Sequence, residues 1–544
     1  MSPARSGPVA PVALVALVAL LMGLAFTAFY AGSSRGIFNF GDDILMYQVT
    51  ESIWERGEVA VTSEAPAEDI AHAVPGSDGR GYAKYGLGPS LVALPFFAAS
   101  HWLFDRVELP ETADRFGNLR TGETVFGTGL SNAVLGGATV AVTFLLAVEL
   151  GYPLLVALAT AFCHGAATLL AHYSSTFLSE PLSALCLAVA LLGLLRAKGK
   201  SQGLWKSTGQ DKSEDQSKSQ GKSQSKSQSK SSVKGKETVR WWLALSGFAS
   251  GLAVATKVAH VVLVLPLFFW AAYPAMRRPR QGRSIVHTLY WSFCFLLWIG
   301  VIAAYNFSRF GSVLETGYGK EAGNFTASFA VGFVGLLASP SKGVFWYCPV
   351  LLLAVLGGRA FWRRDRACAL TILAASAAWL LLISRYYQWY GGGSWGPRFL
   401  VPLLPLWILP AAEVFTRWRD GRAWQAGMVV VVAASLVASA APLLVPFSNV
   451  EAPLAWSGND FATAGWRLGE SPLLHALDLV PEAAGATASK LLGRSALGEA
   501  GRPAPGHRFP DFAFENYGSH ALLVWTRDCF LVSGLALFLA LGLA

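Results

Sequence analysis

Two adjacent carboxylates, Asp42 and Asp43, follow the first long apolar run of the chain, in the stretch FNFGDDILMYQ. A carboxylate can act as a general base on an acceptor hydroxyl or amine, and it can also hold a metal ion or orient a substrate. Because Asp is a preferred helix N-cap, a purely structural role stays open for each of the two. A third carboxylate, Glu180, stands before a proline at the start of a later apolar run. These three side chains are the candidates for acid and base chemistry.

Cationic side chains stand at the ends of other apolar runs, which is where an anionic group at a membrane face would meet them. They are Lys84, Lys257, Lys342, Arg385 and Arg398. Prolines before Lys342 and Arg398 mark helix starts, where free N–H groups and the helix dipole favour a phosphate, and Arg can bind it with two hydrogen bonds. The alternative is that these side chains reach lipid headgroups. Five cations together favour a bound anion.

The segment WYGGGSWGPR, residues 389–398, combines aromatic side chains with a run of three glycines. Trp389, Tyr390 and Trp395 are candidate substrate-lining residues, and Tyr85, next to Lys84, is a fourth. An aromatic belt at the membrane interface is the competing interpretation. The glycine run lets the backbone approach a ligand closely, which favours a binding loop.

Composition determines which elements must position these residues. The chain has 544 residues, of which 53% are hydrophobic and 14% charged, and its mean hydropathy is +0.43. Apolar residues recur in long blocks, so the chain is predicted to be an all-α polytopic membrane protein. The net charge of +9 comes largely from the Lys-rich segment 198–236 and does not indicate nucleic acid. That composition predicts a disordered basic loop over 197–239.

About twelve transmembrane helices are predicted. They cover residues 9–31, 121–148, 153–171, 177–195, 240–256, 258–275, 287–305, 341–358, 367–384, 399–416, 423–446 and 528–544. If the apolar block 87–104 does not span, the basic loops all fall on the side of the N-terminus, which the positive-inside rule makes cytoplasmic. The block is therefore predicted to be juxtamembrane, within an external first loop over 32–120. Residues 1–446 form the catalytic membrane domain, and 447–527 form a small external segment before the last helix at 528–544.

Six cysteines are scattered through the chain without the paired spacing of disulfide or zinc sites, and we interpret them as small core residues. They are Cys163, Cys186, Cys294, Cys348, Cys368 and Cys529.

The order of these motifs resembles the GT-C superfamily, the integral membrane glycosyltransferases that use polyprenyl-phosphate sugars, and is similar to protein O-mannosyltransferases and lipid A aminoarabinose transferases. The resemblance covers about residues 9–416. It implies that Asp42 or Asp43 is the catalytic base, although the family usually has Asp-Glu there. Lys84 in KYGLGPSL matches a Lys-Pro-Pro-Leu element with wider spacing. Glu180-Pro181 stands where the family has Asp-Pro.

Two further matches extend the resemblance. Lys257 matches a Thr-Lys turn, and Arg398 in SWGPRFL matches a Gly-Pro-Arg element of bacterial members. The donor phosphate is therefore expected to bind Lys84, Lys257, Lys342 and Arg398.

These observations predict an inverting sugar transfer from a polyprenyl-phosphate donor to a lipid, glycan or protein acceptor. The active site is expected at the outer face of the bacterial cytoplasmic membrane. A transporter or flippase, and a ligase or polymerase of lipid-linked saccharides, are the alternatives. Mg²⁺ or Mn²⁺, held by the carboxylates, is a candidate cofactor. The sugar and the acceptor are left open.

Overall fold

A computed structural model describes residues 11–34, 41–61, 72–104, 112–113, 119–120, 122–210, 222–277, 282–447, 450 and 465–491. Nearly all of this chain is α-helical. The helices are α1 (Val12–Gly32), α2 (Gly41–Arg56), α3 (Gly88–Phe104), α4 (Gly122–Glu149), α5 (Leu154–Ala166), α6 (Leu170–Ser174), α7 (Glu180–Gln210), α8 (Lys222–Thr256), α9 (Val261–Arg277), α10 (Gly282–Phe310), α11 (Phe329–Ala338), α12 (Val344–Tyr347), α13 (Leu351–Arg364), α14 (Arg366–Arg385), α15 (Leu404–Trp407), α16 (Ala411–Phe415), α17 (Arg422–Leu444) and α18 (Pro472–Leu491).

Two short antiparallel strand pairs accompany the helices. One joins β1 (Val74–Pro75) to β2 (Gly81–Tyr82), and the other joins β3 (Thr112–Ala113) to β4 (Leu119–Arg120). Single 3-10 turns cover Val258–His260, Gly319–Gly323, Arg398–Leu403, Trp418–Asp420 and Leu468–Glu470.

Seven helical segments of the described chain are long and apolar enough to cross a membrane. They are Val12–Gly32, Gly127–Glu149, Glu180–Gly199, Val258–Arg277, Ile285–Phe310, Arg366–Arg385 and Arg422–Leu444. The predicted class, an all-α integral membrane protein, is confirmed. In the Ile285–Phe310 segment only 6% of the apolar window is buried by protein. Such a surface is stable when lipid covers it.

The count of twelve spans is not confirmed, because several predicted spans are short, broken helices. Residues 153–171 divide into α5 and α6, 341–358 divide at Pro349, and 399–416 form a 3-10 turn followed by α15 and α16. Proline removes a backbone donor and interrupts a helix. The backbone groups left without a helical partner are tolerated because these broken helices lie inside the protein core. The last predicted span, 528–544, lies outside the described residues.

The segment 32–120, predicted to be the first external loop, contains a small helical unit. Its helices α2 and α3 pack together through Ile44, Tyr47, Ala93 and Phe97. Ser90 Oγ donates a hydrogen bond of 2.8 Å to the carbonyl oxygen of Met46. The block predicted to be juxtamembrane is α3, which has 17 residues and is not one of the seven long apolar segments.

The predicted inner ends of the helices meet in a group of ion pairs. Lys198 of α7 binds Asp365 at 2.6 Å, and Arg364 binds Glu413. The structure differs from the predicted disordered loop over 197–239, because α7 continues to Gln210 and α8 begins at Lys222. Lys and Gln are good helix formers, so they extend helices that are already anchored in the core.

Residues 306–340, between two of the predicted spans, include the apolar helix α11, which packs on α14. Of the predicted external segment 447–527, the structure describes residues 447, 450 and 465–491. This part carries α18, which packs against α17. Four of the predicted core cysteines are buried and Cys294 is half-buried, while Cys529 lies outside the described residues.

Candidate active site

The first turn of α2 places Asp42 in a polar cluster. The hydroxyl of Tyr85 donates a hydrogen bond of 2.7 Å to Asp42 Oδ1, and Arg398 donates one of 3.1 Å from Nη1 to Asp42 Oδ2. Burial acts to raise the pKa of Asp42, but the charges of Arg398 and Lys257 and the Tyr85 hydrogen bond hold it below its ordinary value. Asp42 is therefore ionised at neutral pH.

Asp43 has a different environment, because it is 2% exposed and lies within the small unit formed by the first loop. The side chain of Asp42 keeps 28% of its surface exposed. Adjacent helix residues point in different directions, and Asp42 is the one that meets Arg398. The structure therefore separates two carboxylates that the sequence leaves equivalent.

Two glycines bring Tyr85 against the end of α8. A Cβ atom at Gly86 would collide with the carbonyl oxygen of Ala255, and one at Gly88 would lie 2.7 Å from Thr256 Oγ1. This close approach requires glycine. It places the Tyr85 side chain beside the turn that carries Lys257.

Arg398 is positioned by the glycine-rich loop. Gly391 has a φ of +80°, and a Cβ atom there would lie 2.9 Å from Arg398 Cγ. Burial acts to lower the pKa of Arg398, but the carboxylates of Asp42 and Glu180 raise it above its ordinary value, so the guanidinium stays charged. Its Nε is buried and has no hydrogen-bond partner within the described part of the chain.

Lys257 and Glu180 line a common crevice, and the charge of Glu180 acts on Arg398. The Lys257 ammonium is 4.2 Å from the centre of the Phe399 ring. Burial lowers the pKa of Lys257 to about 8, although the charge of Glu180 opposes that shift. Glu180 is 5% exposed, and its Oε2 has no hydrogen-bond partner among the described atoms. The crevice that Glu180 and Lys257 line is narrow. Its other lining residues are Ser179, Ser183, His260, Trp379, Phe399 and Pro402.

Lys342, a predicted phosphate ligand, lies against the glycine-rich loop. It is fully buried, and its ammonium donates hydrogen bonds to the carbonyl oxygens of Gly392, at 2.9 Å, and Ser394. A buried ammonium whose hydrogen bonds go to backbone carbonyls is a structural group. Lys342 thus fixes the glycine-rich loop that carries Arg398.

Lys84 forms an ion pair with Glu321, a carboxylate that was not among the residues predicted from the sequence. Its ammonium lies 3.0 and 2.8 Å from the two carboxylate oxygens of Glu321. It also lies 5.8 Å from the centre of the Tyr318 ring. Glu321 and Tyr318 were missed because they carry no motif and lie far from Lys84 in the chain, Glu321 by 237 positions.

The predicted substrate-lining aromatics have mixed outcomes. Tyr85 reaches Asp42, as described above, and Tyr390 is half-buried beside Trp389. Trp389 is packed over Gly335 and is 5% exposed, whereas Trp395 is fully buried against Phe447. The two tryptophans therefore pack in the core, a burial that a short aromatic motif does not reveal, and their role as lining residues stays a prediction.

The carboxylates do not form a metal site of the expected kind. Within the described part of the chain, no three or more His, Cys, Asp or Glu side chains come together. Both oxygens of Asp42 are already bonded, to Tyr85 and to Arg398. The residues present do not fit an Mg²⁺ or Mn²⁺ ion, which takes several oxygen ligands, and no step below uses one.

The chain was compared with known proteins. No protein-family model matches it, and no curated protein matches it. Among solved structures, ArnT from Cupriavidus metallidurans in the apo state is similar at a TM-score of 0.44 with 14% identity, covering 90% of this chain and 82% of that one. ArnT from Cupriavidus metallidurans bound to undecaprenyl phosphate has a TM-score of 0.43 and 15% identity, covering 96% and 88%.

Likeness at this level transfers neither site residues nor activity, so the chemistry below depends on the side chains of this chain.

Proposed function

We propose that this protein is a membrane glycosyltransferase that moves a sugar from a polyprenyl-phosphate donor to a lipid, glycan or protein acceptor. The reaction takes place at the outer face of the cytoplasmic membrane and inverts the anomeric carbon. The proposal is carried by one observation, the contact of Asp42 from the first loop with Arg398 from the glycine-rich loop. A carboxylate and a cation that meet at the end of the helices supply the base and the phosphate site that such a transfer needs.

Arg398 and Lys257 hold the donor phosphate. The guanidinium has an unbonded Nε–H and loses only one ionic contact when a phosphate oxygen replaces the Asp42 carboxylate. Lys257 adds a second cation on the side of Glu180. Arg forms paired hydrogen bonds with phosphate, and partial burial strengthens them.

Asp42 is the general base. Once phosphate occupies Arg398, the carboxylate loses its main cationic partner, so its pKa rises and it becomes a stronger base. The acceptor hydroxyl or amine gives its proton to Asp42 as its oxygen or nitrogen attacks the anomeric carbon. The bond between that carbon and the phosphate oxygen breaks, and its electron pair leaves on the polyprenyl phosphate, which Arg398 and Lys257 stabilise.

The test is a transfer assay in nanodiscs with a panel of radiolabelled polyprenyl-phosphate monosaccharides and a membrane extract as acceptor. Arg398→Ala should lower the transfer rate by about 100-fold or more, because it removes the main stabiliser of the leaving phosphate. The matched control is Arg359→Ala, since Arg359 is exposed at the opposite, predicted inner end of the helices. It should leave the rate unchanged.

Two results would contradict the proposal. Equal transfer by Arg398→Ala and wild type would remove the phosphate site. Movement of labelled donor across vesicles by a wild type that transfers no sugar would favour a flippase.

A further inference from the structure

A second polar group lies beside Asp42 and has no part in the mechanism above. Its core is the ion pair between Lys84 and Glu321, whose side chains are 18% and 39% exposed. Tyr318 stands under the Lys84 ammonium, and the half-buried Tyr386 and Tyr387 lie against each other with ring centres 4.9 Å apart. These five residues are called the Glu321 subsite.

The Glu321 subsite is held together by contacts between two distant loops. Tyr387 donates its backbone N–H to the carbonyl oxygen of Asn324 at 3.0 Å. The Phe325 and Tyr386 rings are 6.0 Å apart. The tyrosines of one loop therefore stay next to the carboxylate of the other.

Two neighbouring residues connect this subsite to Asp42. Lys84 binds Glu321 at 2.8 Å, and the next residue, Tyr85, donates a hydrogen bond of 2.7 Å to Asp42 Oδ1. After burial, the charge of Asp42 is the largest cause that raises the pKa of Tyr318, and Glu321 adds to it. The Glu321 subsite therefore adjoins Asp42, which contacts Arg398.

The Glu321 subsite does not suit a phosphate. The Lys84 ammonium is already neutralised by both oxygens of Glu321, and a carboxylate that is 39% exposed repels an anion. The predicted phosphate role of Lys84 is therefore replaced by a neutral, hydrogen-bonding pair. Carboxylate oxygens accept hydrogen bonds from hydroxyl groups, an ammonium donates them, and tyrosine does both.

We propose that the Glu321 subsite binds the sugar ring of the donor, with Glu321 accepting hydrogen bonds from two ring hydroxyls and the Tyr386–Tyr387 pair covering one face of the ring. The inference depends on the proposed function, since the sugar is attached to the phosphate held by Arg398 and Lys257. That attachment brings the ring to the side of Asp42 where Glu321 lies. The ion pair is partly open to solvent on the side of Glu321, which is 39% exposed, so hydroxyl groups can reach its oxygens. Glu321 is thereby a specificity-determining residue.

The experiment compares two probes on the full chain in nanodiscs, measured by equilibrium binding. One probe is polyprenyl monophosphate without sugar, and the other is the polyprenyl-phosphate monosaccharide that the wild type transfers best. Glu321→Gln keeps the size of the side chain and removes its charge. Glu315→Gln is the matched control, because Glu315 lies in the same segment, is exposed and accepts a hydrogen bond only from the nearby Gly317 N–H among the described contacts that involve it.

Glu321→Gln should weaken binding of the sugar-bearing donor at least tenfold and leave binding of the sugar-free phosphate within threefold of the wild type. The control should change neither. Equal loss for both probes would show that Glu321 serves the phosphate site, and no loss for either would show that it contacts no substrate. A raised KM for the acceptor with unchanged donor binding would place the acceptor there. Each of these three results overturns the inference while the proposed function stands.

A wild type that binds neither probe and transfers no sugar would overturn both the inference and the proposed function.

Discussion

The charge of Lys257 changes with pH in the range just above neutrality. Its pKa is lowered to about 8, chiefly by burial, so the ammonium is present below that pH and is lost above it. A phosphate that needs this cation should therefore bind less tightly as pH rises through the same range. Bound phosphate favours the charged form, so the decline should begin somewhat above pH 8.

Binding of polyprenyl monophosphate measured from pH 6 to pH 10 would check this. In Lys257→Arg the guanidinium stays charged throughout, so the decline should disappear. An identical decline in wild type and Lys257→Arg would show that another group titrates.

The pair Asp42 and Asp43 shows what the sequence can and cannot give at the residue scale. The sequence placed Asp42, Arg398, Lys257 and Glu180 at the same membrane face, because each stands at the end of an apolar run. It could not tell Asp42 from Asp43, because burial is set by contacts between α2 and α3 that no local pattern contains.

At the scale of elements, the glycine-rich loop determines where Arg398 lies. Gly391→Ala puts a Cβ atom 2.9 Å from Arg398 Cγ, so the guanidinium should shift away from Asp42. Gly392 has a φ of +67°, but a Cβ atom there would meet nothing within 4 Å. Both substitutions introduce similar backbone strain, about 1–2 kcal/mol.

We therefore expect Gly391→Ala to lower the transfer rate about tenfold or more relative to Gly392→Ala, since a misplaced catalytic group is costly. Initial rates of the two variants in the transfer assay would measure this difference. Equal rates in the two variants would show that the loop tolerates a moved Arg398.

Lys342 should determine the stability of the same loop. Lys342→Met leaves the carbonyl oxygens of Gly392 and Ser394 without this donor in a buried place, which costs about 1–3 kcal/mol. The midpoint of thermal unfolding in detergent should fall below that of Arg359→Ala, which removes an exposed cation. An unchanged midpoint would show that the ammonium is not needed to hold the loop.

Lys342 and Trp395 also mark the limit of prediction from motifs. Both stand in segments with the composition of a binding site, and both are buried by residues from other parts of the chain, including Phe447. A motif gives side-chain types and order, whereas burial depends on what the rest of the chain brings against it.

At the scale of the molecule, charge divides the protein into two ends. The ion pairs of Lys198 with Asp365 and of Arg364 with Glu413 lie at one end, and the cluster around Asp42 lies at the other. The positive-inside rule predicts that the first end is cytoplasmic. Hydropathy alone was sufficient for the class of fold, but it did not show which spans would be broken, since that depends on prolines accommodated inside the core.

The two ends can be distinguished by labelling. Thr326 and Arg363 are both exposed, near Glu321 and near the inner ion pairs respectively. In intact cells, Thr326→Cys should react with a membrane-impermeant thiol reagent above the wild-type background, and Arg363→Cys should react only after the membrane is opened. The reverse pattern would invert the topology.

The central claim is that Asp42 is the base of a sugar transfer. The most direct measurement is the initial rate of transfer from the best polyprenyl-phosphate monosaccharide by wild type, Asp42→Asn and Asp43→Asn in nanodiscs. Loss of the base should lower the rate by about 100-fold to 10,000-fold in Asp42→Asn. Asp43→Asn should keep measurable transfer and instead lower the unfolding midpoint, because Asp43 is buried. Full activity in Asp42→Asn would contradict the account.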